Sequence, residues 1–335
     1  MSLLILVTEP EYRRGESVFA AVPGARCVPV PADEEGLAAA IRAHDARYVI
    51  LGHSVYRDAL YAAMPRGGVL ARFGVGHEGL DKAKATRAGL VCTNTPGTLD
   101  QSVAELTMLL VLAAARHLPA MDADMHAGRW VQQVGLELAG ATIAFVGAGR
   151  IAQATARIAS TGFGMKTIGC RRSAARLDAA SREGFDEMTD DYTRAVADAD
   201  FVVLLMPALP ENRRFLSADR LAALKPSAWV INTARGAVLD EVALYEALAA
   251  GRLAGAALDV FDVEPYVPAD ASHDLRTLSN VIMVPHVGSH THAANHRMAS
   301  RALANVLHAA NGRVGEMDVL NREVLEAWSR EVLKS

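Results

Sequence analysis

The chain has 335 residues, of which 51% are hydrophobic and 21% charged, and its formal net charge is -4 at pH 7. This length predicts two domains with sizeable cores, and the slightly negative charge argues against nucleic acid as the main partner. The three cysteines form no CxxC pair, which argues against a disulfide framework or a zinc site and favours a reducing, cytoplasmic location.

Short apolar runs alternate with helical patterns along the chain, which predicts parallel sheets covered by helices. The first run lacks a basic leader and is interrupted by Glu9, so it predicts a strand rather than a signal peptide. A helix is predicted over residues 34–43. The strands of this first block are predicted at residues 3–8, 26–29, 48–51, 69–72 and 90–93.

A long helix is predicted over residues 101–127, with Ser102 and Glu105 as a capping box at its start. Its length is typical of a connector between domains or of a partner surface in an oligomer, and an ordinary core helix is the alternative. The longest apolar run, residues 106–115, is too short to span a bilayer.

A second alternating block begins at residue 142 and continues to about residue 288. A final helix is predicted over residues 291–310, and Asn311-Gly312 is a plausible stop signal for it. The strands of this second block are predicted at residues 142–146, 166–170, 201–205, 228–232, 255–260 and 281–284.

The first strand of the second block runs into Gly147-Ala148-Gly149, the G-x-G-x-x-G/A pattern with Ala152 in the last place. Gly147 permits the tight turn, Gly149 lets the backbone approach a pyrophosphate, and Ala152 keeps the following helix close to the strand. The helix N-terminus adds N–H groups and the positive end of its dipole. These features predict a dinucleotide site, and a glycine turn that binds nothing is the alternative.

The second strand of this block runs into Arg171-Arg172-Ser173, at the place where an NAD site usually carries an acid for the ribose 2′-hydroxyl. Two guanidinium groups and a hydroxyl suit a 2′-phosphate, because arginine matches phosphate oxygens in geometry and charge. The sequence therefore predicts NADP(H) rather than NAD(H) as the cofactor. A solvated basic loop on an NAD enzyme is the alternative.

Three later strands of the block are followed by Arg235, Glu264 and His286. In a parallel sheet, the ends of these strands lie at the same edge as the glycine turn. Ligands of open α/β sheets bind beyond this edge. His286 can protonate a ketone that is being reduced, and Glu264 beside it would orient the ring and favour its protonated form. Arg235 can bind a carboxylate through a bidentate pair and polarise the carbonyl. Each residue alone has an ordinary surface or turn role, but their common position predicts a catalytic site.

These features resemble the D-isomer-specific 2-hydroxyacid dehydrogenases, in particular the glyoxylate/hydroxypyruvate reductase branch. The shared motifs occur in that family's order and cover nearly the whole chain. They are Gly74-Val75-Gly76, Asn94-Thr95-Pro96-Gly97, Val146-Gly147-Ala148-Gly149-Arg150-Ile151, Asn232-Thr233-Ala234-Arg235-Gly236, Leu258-Asp259-Val260-Phe261, Glu264-Pro265 and Pro285-His286-Val287-Gly288-Ser289.

The resemblance implies an α/β fold with two doubly wound parallel-sheet domains, in which a Rossmann dinucleotide-binding domain is inserted into a flavodoxin-like substrate domain. It assigns residues 103–290 to the Rossmann domain, and residues 1–102 and 291–335 to the substrate domain. It also implies a cleft that closes by hinging, and a homodimer.

The resemblance further implies that Arg235, Glu264 and His286 form a catalytic triad. It implies that the backbone N–H groups around Val75 and Gly76 bind the substrate carboxylate together with Arg235, with His286 also contacting the substrate. It places Asp259 near the nicotinamide carboxamide. The cofactor-binding residues implied are Gly147, Gly149, Arg150, Ile151, Arg171, Arg172, Ser173, Met206, Pro207, Thr233, Ala234, Asp259 and Gly288.

Several alternatives stay open at this point. His53 and His77 are candidates for recognising the distal end of the substrate, or are surface histidines. His292 and His296 have a spacing that can bind zinc, but no cysteine is near, and we expect no metal. The competing functions are a phosphoglycerate dehydrogenase-like enzyme and a dinucleotide-sensing corepressor without enzymatic activity.

Overall fold

The fold is given by a computed structural model, which describes residues 2–172, 182–326 and 328. The chain forms two compact units. One, the split unit, joins the residues up to Leu99 with those from His290 onward, and the other, the central unit, is Asp100–Ser289. The functions predicted for residues 103–290 and for the two flanking segments stay predictions.

The split unit is built on a parallel sheet of five strands in the order β2-β1-β3-β4-β5. Three of these strands have the bounds predicted from their apolar runs, and the other two differ by one or two residues. The strands are β1 (Leu3–Thr8), β2 (Ala25–Val30), β3 (Tyr48–Leu51), β4 (Val69–Arg72) and β5 (Val91–Thr93).

Side chains that alternate along β1 enter two different cores, because successive residues of a strand point to opposite faces of the sheet. Leu6 packs with the helices on one face, whereas Ile5 and Val7 pack with those on the other. Both faces are therefore covered, as the predicted doubly wound architecture requires. The helices of this unit are α1 (Glu9–Arg14), α2 (Glu16–Phe19), α3 (Glu34–His44), α4 (Ala59–Ala63), α5 (Lys82–Arg87) and, from the C-terminal segment, α12 (His292–Ala310).

The C-terminal segment is part of the same core as the N-terminal strands. In α12, Met298, Ala302 and Val306 are buried against the face of the sheet that carries Ile5 and Val7. Further along, Asn321 accepts a hydrogen bond from the Cys92 backbone at 2.8 Å, and the Trp328 indole donates to the Gly67 carbonyl at 2.8 Å.

The central unit carries a parallel sheet of seven strands in the order β12-β11-β10-β9-β6-β7-β8. The chain starts at β6, builds outward to β8, and then returns to build β9 to β12 on the other side of β6. The carboxyl ends of β6 and β9 thus form the switch point at which open α/β sheets bind ligands. The strands are β6 (Thr142–Val146), β7 (Lys166–Cys170), β8 (Glu187–Thr189), β9 (Phe201–Leu204), β10 (Trp229–Asn232), β11 (Gly255–Leu258) and β12 (Val281–Met283).

The six apolar runs predicted as strands in this block are confirmed, within two residues at each end. The sequence does not predict β8, because this three-residue edge strand has the sequence Glu-Met-Thr and contains no apolar run. The fold class predicted from the alternation of strands and helices is therefore confirmed for both units. The helices of the central unit within the described residues are α6 (Asp100–Ala115), α7 (Leu118–His126), α8 (Arg150–Arg157), α9 (Tyr192–Val196), α10 (Ala218–Leu221) and α11 (Glu241–Ala249).

The single long helix predicted over residues 101–127 is wrong, because the chain breaks it into α6 and α7. His117 takes a left-handed conformation with φ of 51° at the break, and Pro119 lies in the first turn of α7. The capping box is wrong as well: α6 begins at Asp100, so Ser102 lies inside the helix and is buried. Most of α6 is buried, as in an ordinary core helix, whereas no residue of α7 is buried.

No single helix among the described residues is both long enough and apolar enough to cross a membrane; only α6 and α7 taken together, which meet at 65°, pass that test.

Candidate active site

The glycine turn after β6 has the backbone geometry that its sequence pattern predicts. Gly147 has a φ of 101°, and a Cβ there would lie 2.5 Å from the Leu205 carbonyl oxygen, so only glycine is compatible with this position. A Cβ on Gly149, by contrast, would meet no heavy atom within 4 Å. The N-terminus of α8 therefore faces open space at Gly149, which fits the close approach of a pyrophosphate. Ala152 is fully buried one turn further along.

Arg150, in the first turn of α8, is held by an ion pair with Asp100. Its Nε lies 2.7 Å from Oδ2 of Asp100, and the arginine side chain is 72% exposed. The ion pair holds Arg150 at the helix N-terminus and offsets part of its positive charge, so the backbone N–H groups and the helix dipole carry the attraction for phosphate groups at this turn. Ile151, the next predicted cofactor residue, is half-buried.

At the end of β7, the structure adds an acid that the sequence pattern did not predict. Arg171 and Arg172 follow the strand, and Ser173 lies outside the described residues. The guanidinium of Arg172 lies 3.2 Å from Oε1 of Glu211, which belongs to the short Pro210–Asn212 turn after β9. The backbone hydrogen bond of Glu211 and its contact with Arg172 lower the pKa of this carboxyl.

The remaining cofactor residues predicted after β9 and β10 lie in tightly bonded loops. Met206 and Pro207 follow β9, and the Pro207 carbonyl accepts a hydrogen bond from Asn212 at 2.8 Å. Thr233, after β10, is buried, and its hydroxyl lies 2.9 Å from that of Thr107 in α6. These contacts fix the loops that border the switch point of the sheet.

The loop that carries Arg235 is shaped by the buried amide of Asn232. Its Oδ1 accepts from the Ala234 N–H at 3.1 Å, and its Nδ2 donates to the Arg235 carbonyl at 3.0 Å. The Arg235 guanidinium donates to the Ala234 carbonyl at 2.6 Å. Asn232 therefore sets the backbone path from which the arginine side chain leaves.

Gly236 brings the loop after β10 into direct contact with the loop after β11. A Cβ on Gly236 would lie 1.8 Å from the Phe261 carbonyl carbon and 2.2 Å from the Asp262 nitrogen. The same Asp262 N–H donates to Oε1 of Glu241 at 2.8 Å. Burial raises the pKa of Glu241, against the opposing effect of this hydrogen bond. The loop that leads to Glu264 therefore packs directly against Gly236 and donates a hydrogen bond to the buried carboxyl group of Glu241.

Glu264 and His286 form a hydrogen-bonded pair. Nδ1 of His286 lies 2.7 Å from Oε2 of Glu264, and the side chains of His286 and Glu264 are 39% and 28% exposed, respectively. The other carboxylate oxygen of Glu264 accepts from the Phe261 N–H at 3.0 Å. The carboxylate engages Nδ1 and so fixes the orientation of the imidazole ring.

The loop that carries His286 is organised by Asp259, a side chain that is 1% exposed. Its two carboxylate oxygens accept from the Val287 and Gly288 N–H groups at 2.6 and 3.0 Å, and its carbonyl accepts from the His286 N–H at 2.8 Å. Burial raises the pKa of Asp259, while these hydrogen bonds and the nearby His286 lower it. His286 itself has a φ of 51°.

In the split unit, the loop with the predicted carboxylate-binding residues Val75 and Gly76 follows β4. Gly74 has a φ of 138°, and its N–H donates to the Thr95 hydroxyl at 3.1 Å. Asn94 donates to the Val75 carbonyl at 2.8 Å. The loop is fixed by side chains of the predicted Asn94-Thr95 motif, and its role in substrate binding stays a prediction.

His53 and His77, the candidates for recognising the distal end of the substrate, belong to the same unit. His77 lies with Nδ1 at 3.1 Å from the Lys82 ammonium. Among the described residues, no group of three or more His, Cys, Asp or Glu side chains is arranged to hold a metal ion.

Sequence reasoning missed two acids at this edge of the sheet. Glu211 lies in a turn with no strand or helix pattern of its own, and only its position shortly after a strand end could have drawn attention to it. Glu241 follows the N-cap Asp240 and reads as an ordinary acid in the first turn of a helix. Neither contact is visible without the three-dimensional arrangement of neighbouring loops.

Comparisons with known proteins identify the same family that the sequence motifs resemble. The family described as "D-isomer specific 2-hydroxyacid dehydrogenase, NAD binding domain" matches residues 108–288. A glyoxylate reductase of Thermococcus litoralis is 36% identical over 294 residues, which cover 85% of this chain and 86% of that protein. The D-3-phosphoglycerate dehydrogenase of Methanocaldococcus jannaschii is 36% identical over 314 residues, which cover 93% of this chain and 58% of that protein.

Solved structures extend the similarity to the fold of the chain. The NADPH-dependent glyoxylate/hydroxypyruvate reductase of Sinorhizobium meliloti, in complex with citrate, is similar with a TM-score of 0.78 and 30% identity, covering 91% of this chain and 94% of that one. The same reductase in complex with NADP and malonate gives a TM-score of 0.77 and 29% identity over 92% and 93% of the two chains. The chain belongs to the D-isomer-specific 2-hydroxyacid dehydrogenase family, in its glyoxylate reductase branch, and is an NAD(P)-dependent oxidoreductase of small 2-oxo and 2-hydroxy acids.

Proposed function

We propose that the protein reduces a small 2-oxo acid of the glyoxylate or hydroxypyruvate type, with His286 as general acid/base. The observation that carries this proposal is the 2.7 Å contact between His286 and Glu264 at the same sheet edge as the glycine turn. A histidine oriented by a carboxylate is the group that ketone reduction requires, because the oxygen that gains negative charge must receive a proton.

In this mechanism each side chain has one task. A bound nicotinamide cofactor supplies the hydride. His286 donates the proton from Nε2 to the substrate oxygen, and Glu264 holds Nδ1 and stabilises the positive charge of the protonated ring. Arg235 binds the substrate carboxylate and polarises the adjacent carbonyl. In the oxidation direction, His286 takes the proton back from the hydroxyl group.

The cofactor preference that we propose is NADP(H). Arg171 and Arg172 follow β7, where an acid would select NAD(H), and their positive charge favours a ribose 2′-phosphate. The reductase of Sinorhizobium meliloti, described as NADPH-dependent, supports this proposal. Higher kcat/KM with NADH than with NADPH would contradict it.

We propose a homodimer that forms through the surface of α7 and the segment after it. Large apolar side chains of this segment are exposed to solvent, and exposed apolar clusters of this kind mark association surfaces. These side chains are Leu118 (53% exposed), Met125 (54%), Trp130 (79%), Val131 (47%), Val134 (96%) and Leu136 (43%). Light scattering after size-exclusion chromatography tests this, and Val134→Glu should give monomers.

The deciding experiment is a substrate screen with NADPH and NADH. Glyoxylate, hydroxypyruvate, pyruvate, phenylpyruvate and 3-phosphohydroxypyruvate are each supplied to the purified protein, and consumption of the reduced cofactor is followed by absorbance. We expect the highest kcat/KM for glyoxylate or hydroxypyruvate. A clear preference for 3-phosphohydroxypyruvate would favour the phosphoglycerate dehydrogenase alternative. Cofactor binding without turnover of any 2-oxo acid would favour the corepressor-like alternative.

A further inference from the structure

The ion pair of Arg172 and Glu211 places a negative charge beside the positive charge at the end of β7. The sequence pattern does not show this neighbour. The guanidinium and the carboxylate lie 3.2 Å apart, and both side chains are open to solvent, at 70% and 50% exposure. The two residues come from different loops, since Arg172 follows β7 and Glu211 follows β9. A local acid is missing at the end of β7, but another loop supplies one.

The position of Glu211 is set by its own turn rather than by the arginine alone. In the Pro210–Asn212 turn, the buried Asn212 donates its side-chain amide to the Pro207 carbonyl at 2.8 Å, and its backbone N–H donates to the Leu209 carbonyl at 2.8 Å. The turn therefore presents the carboxylate to Arg172 from a fixed backbone. The lowered pKa of Glu211 keeps this carboxylate ionised at neutral pH.

This pair lies at the part of a dinucleotide site that distinguishes the two cofactors. At the end of the second strand, an acid accepts a hydrogen bond from the ribose 2′-hydroxyl of NAD(H), whereas an arginine binds the 2′-phosphate of NADP(H). Here both kinds of side chain are present, and they form an ion pair with each other. A phosphate, with a charge of about -1.5 to -2, would have to share Arg172 with an ionised carboxylate.

We propose that Glu211 determines the cofactor selectivity of this enzyme, by neutralising Arg172 and placing a negative charge beside the 2′ position. This inference rests on the proposed binding of the dinucleotide at the glycine turn. Glu211 lowers the affinity for NADP(H) and leaves that for NAD(H) intact, so the chain accepts both cofactors with a smaller preference than two arginines alone would give.

The test is a fluorescence titration of the purified protein with NADPH and with NADH, in the absence of any 2-oxo acid. Glu211→Gln keeps the shape and removes the charge. It should lower the Kd for NADPH by roughly three- to tenfold, the range for an exposed charge interaction with a divalent anion, and leave the Kd for NADH unchanged or higher. Arg172→Gln should raise the Kd for NADPH more than that for NADH.

The chain offers a matched control in the ion pair of Arg157 and Glu183, which is also exposed, belongs to the same unit and has a separation of 3.0 Å. Glu183→Gln should change neither Kd. An unchanged ratio of the two Kd values in Glu211→Gln, or an equal change in both, would overturn the role of Glu211 while the proposed function stands. Failure of the wild-type protein to bind either cofactor would overturn both proposals.

Discussion

Oε2 of Glu264 and Nδ1 of His286 lie 2.7 Å apart, and both residues are anchored to the backbone at the end of β11. Glu264 accepts a hydrogen bond from the Phe261 N–H, and the His286 N–H donates to the Asp259 carbonyl. The carboxylate and the imidazole are therefore placed by one strand end, although they belong to two successive loops of the sheet.

Glu264→Gln should move the pH profile of ketone reduction to lower pH. The amide keeps the size of the side chain but no longer stabilises the protonated ring, so activity falls earlier as pH rises. The measurement is kcat against pH with glyoxylate and NADPH. The pair of the exposed Glu246 and the half-buried His273, 3.8 Å apart, provides the control, because Glu246→Gln should leave the profile in place. Superimposable profiles for Glu264→Gln and wild type would refute the proposed pair.

His286→Asn should lower kcat by about 10²- to 10⁴-fold, the usual contribution of a general acid. Asparagine is the suitable replacement, because it tolerates the left-handed backbone that His286 adopts with a φ of 51°. The Kd for NADPH, measured by fluorescence, should stay within about twofold of the wild-type value, since we assign His286 to the substrate. Turnover close to that of the wild type would rule out His286 as the proton donor.

Arg235→Lys should raise the KM for the 2-oxo acid by at least about tenfold, with a smaller effect on the Kd for NADPH. Lysine keeps the positive charge but cannot form the bidentate pair with a carboxylate. Steady-state kinetics with glyoxylate give the KM. The exposed Arg157→Lys serves as the control, and an unchanged KM in Arg235→Lys would show that the carboxylate is bound elsewhere.

Gly236→Ala should destabilise the protein by about 1 to 3 kcal/mol or more, the range for overpacking. Its Cβ would lie 1.8 Å from the Phe261 carbonyl carbon, so the loops after β10 and β11 have to separate. Urea denaturation followed by circular dichroism measures the loss, and activity should fall with it. A Cβ on Gly162 meets nothing within 4 Å, so Gly162→Ala should be neutral or slightly stabilising. Equal stability of both variants would contradict the close approach at Gly236.

Glu241→Gln should become more stable relative to the wild type as pH rises. Burial raises the pKa of Glu241, so the folded protein binds this proton more readily than the unfolded chain does. Between the unfolded and the folded pKa, the wild-type free energy of unfolding therefore falls as pH rises. The glutamine keeps an acceptor for the Asp262 N–H and removes this dependence.

Urea midpoints of Glu241→Gln and wild type between about pH 4 and about pH 7 test this, with Glu183→Gln as the exposed control. A difference between the Glu241→Gln and wild-type midpoints that does not change with pH would show that the buried carboxyl does not titrate differently in the two states.

Apolar runs and glycine turns are local signals, so the strands and the residues that follow them could be predicted from the sequence. Arg235, Glu264 and His286 could be grouped from their positions after successive strands, since parallel strands bring their carboxyl ends to one edge. The break at His117 could not be predicted from the apolar pattern, which continues through α6 and α7. Glu211 was missed for another reason: its partner Arg172 belongs to a different loop, so no spacing along the chain reveals the contact.

The position of α12 on the five-stranded sheet has a consequence for the order in which the chain acquires its structure during synthesis. The strands of this sheet leave the ribosome first, whereas Met298, Ala302 and Val306, which cover one of its faces, follow only after the last strand of the central unit. We expect the central unit to fold while the sheet around β1 is still uncovered on that face. Protease treatment of a released chain that ends at Thr291 should therefore cut the first hundred residues and spare the central unit, and equal protection of both would contradict this order.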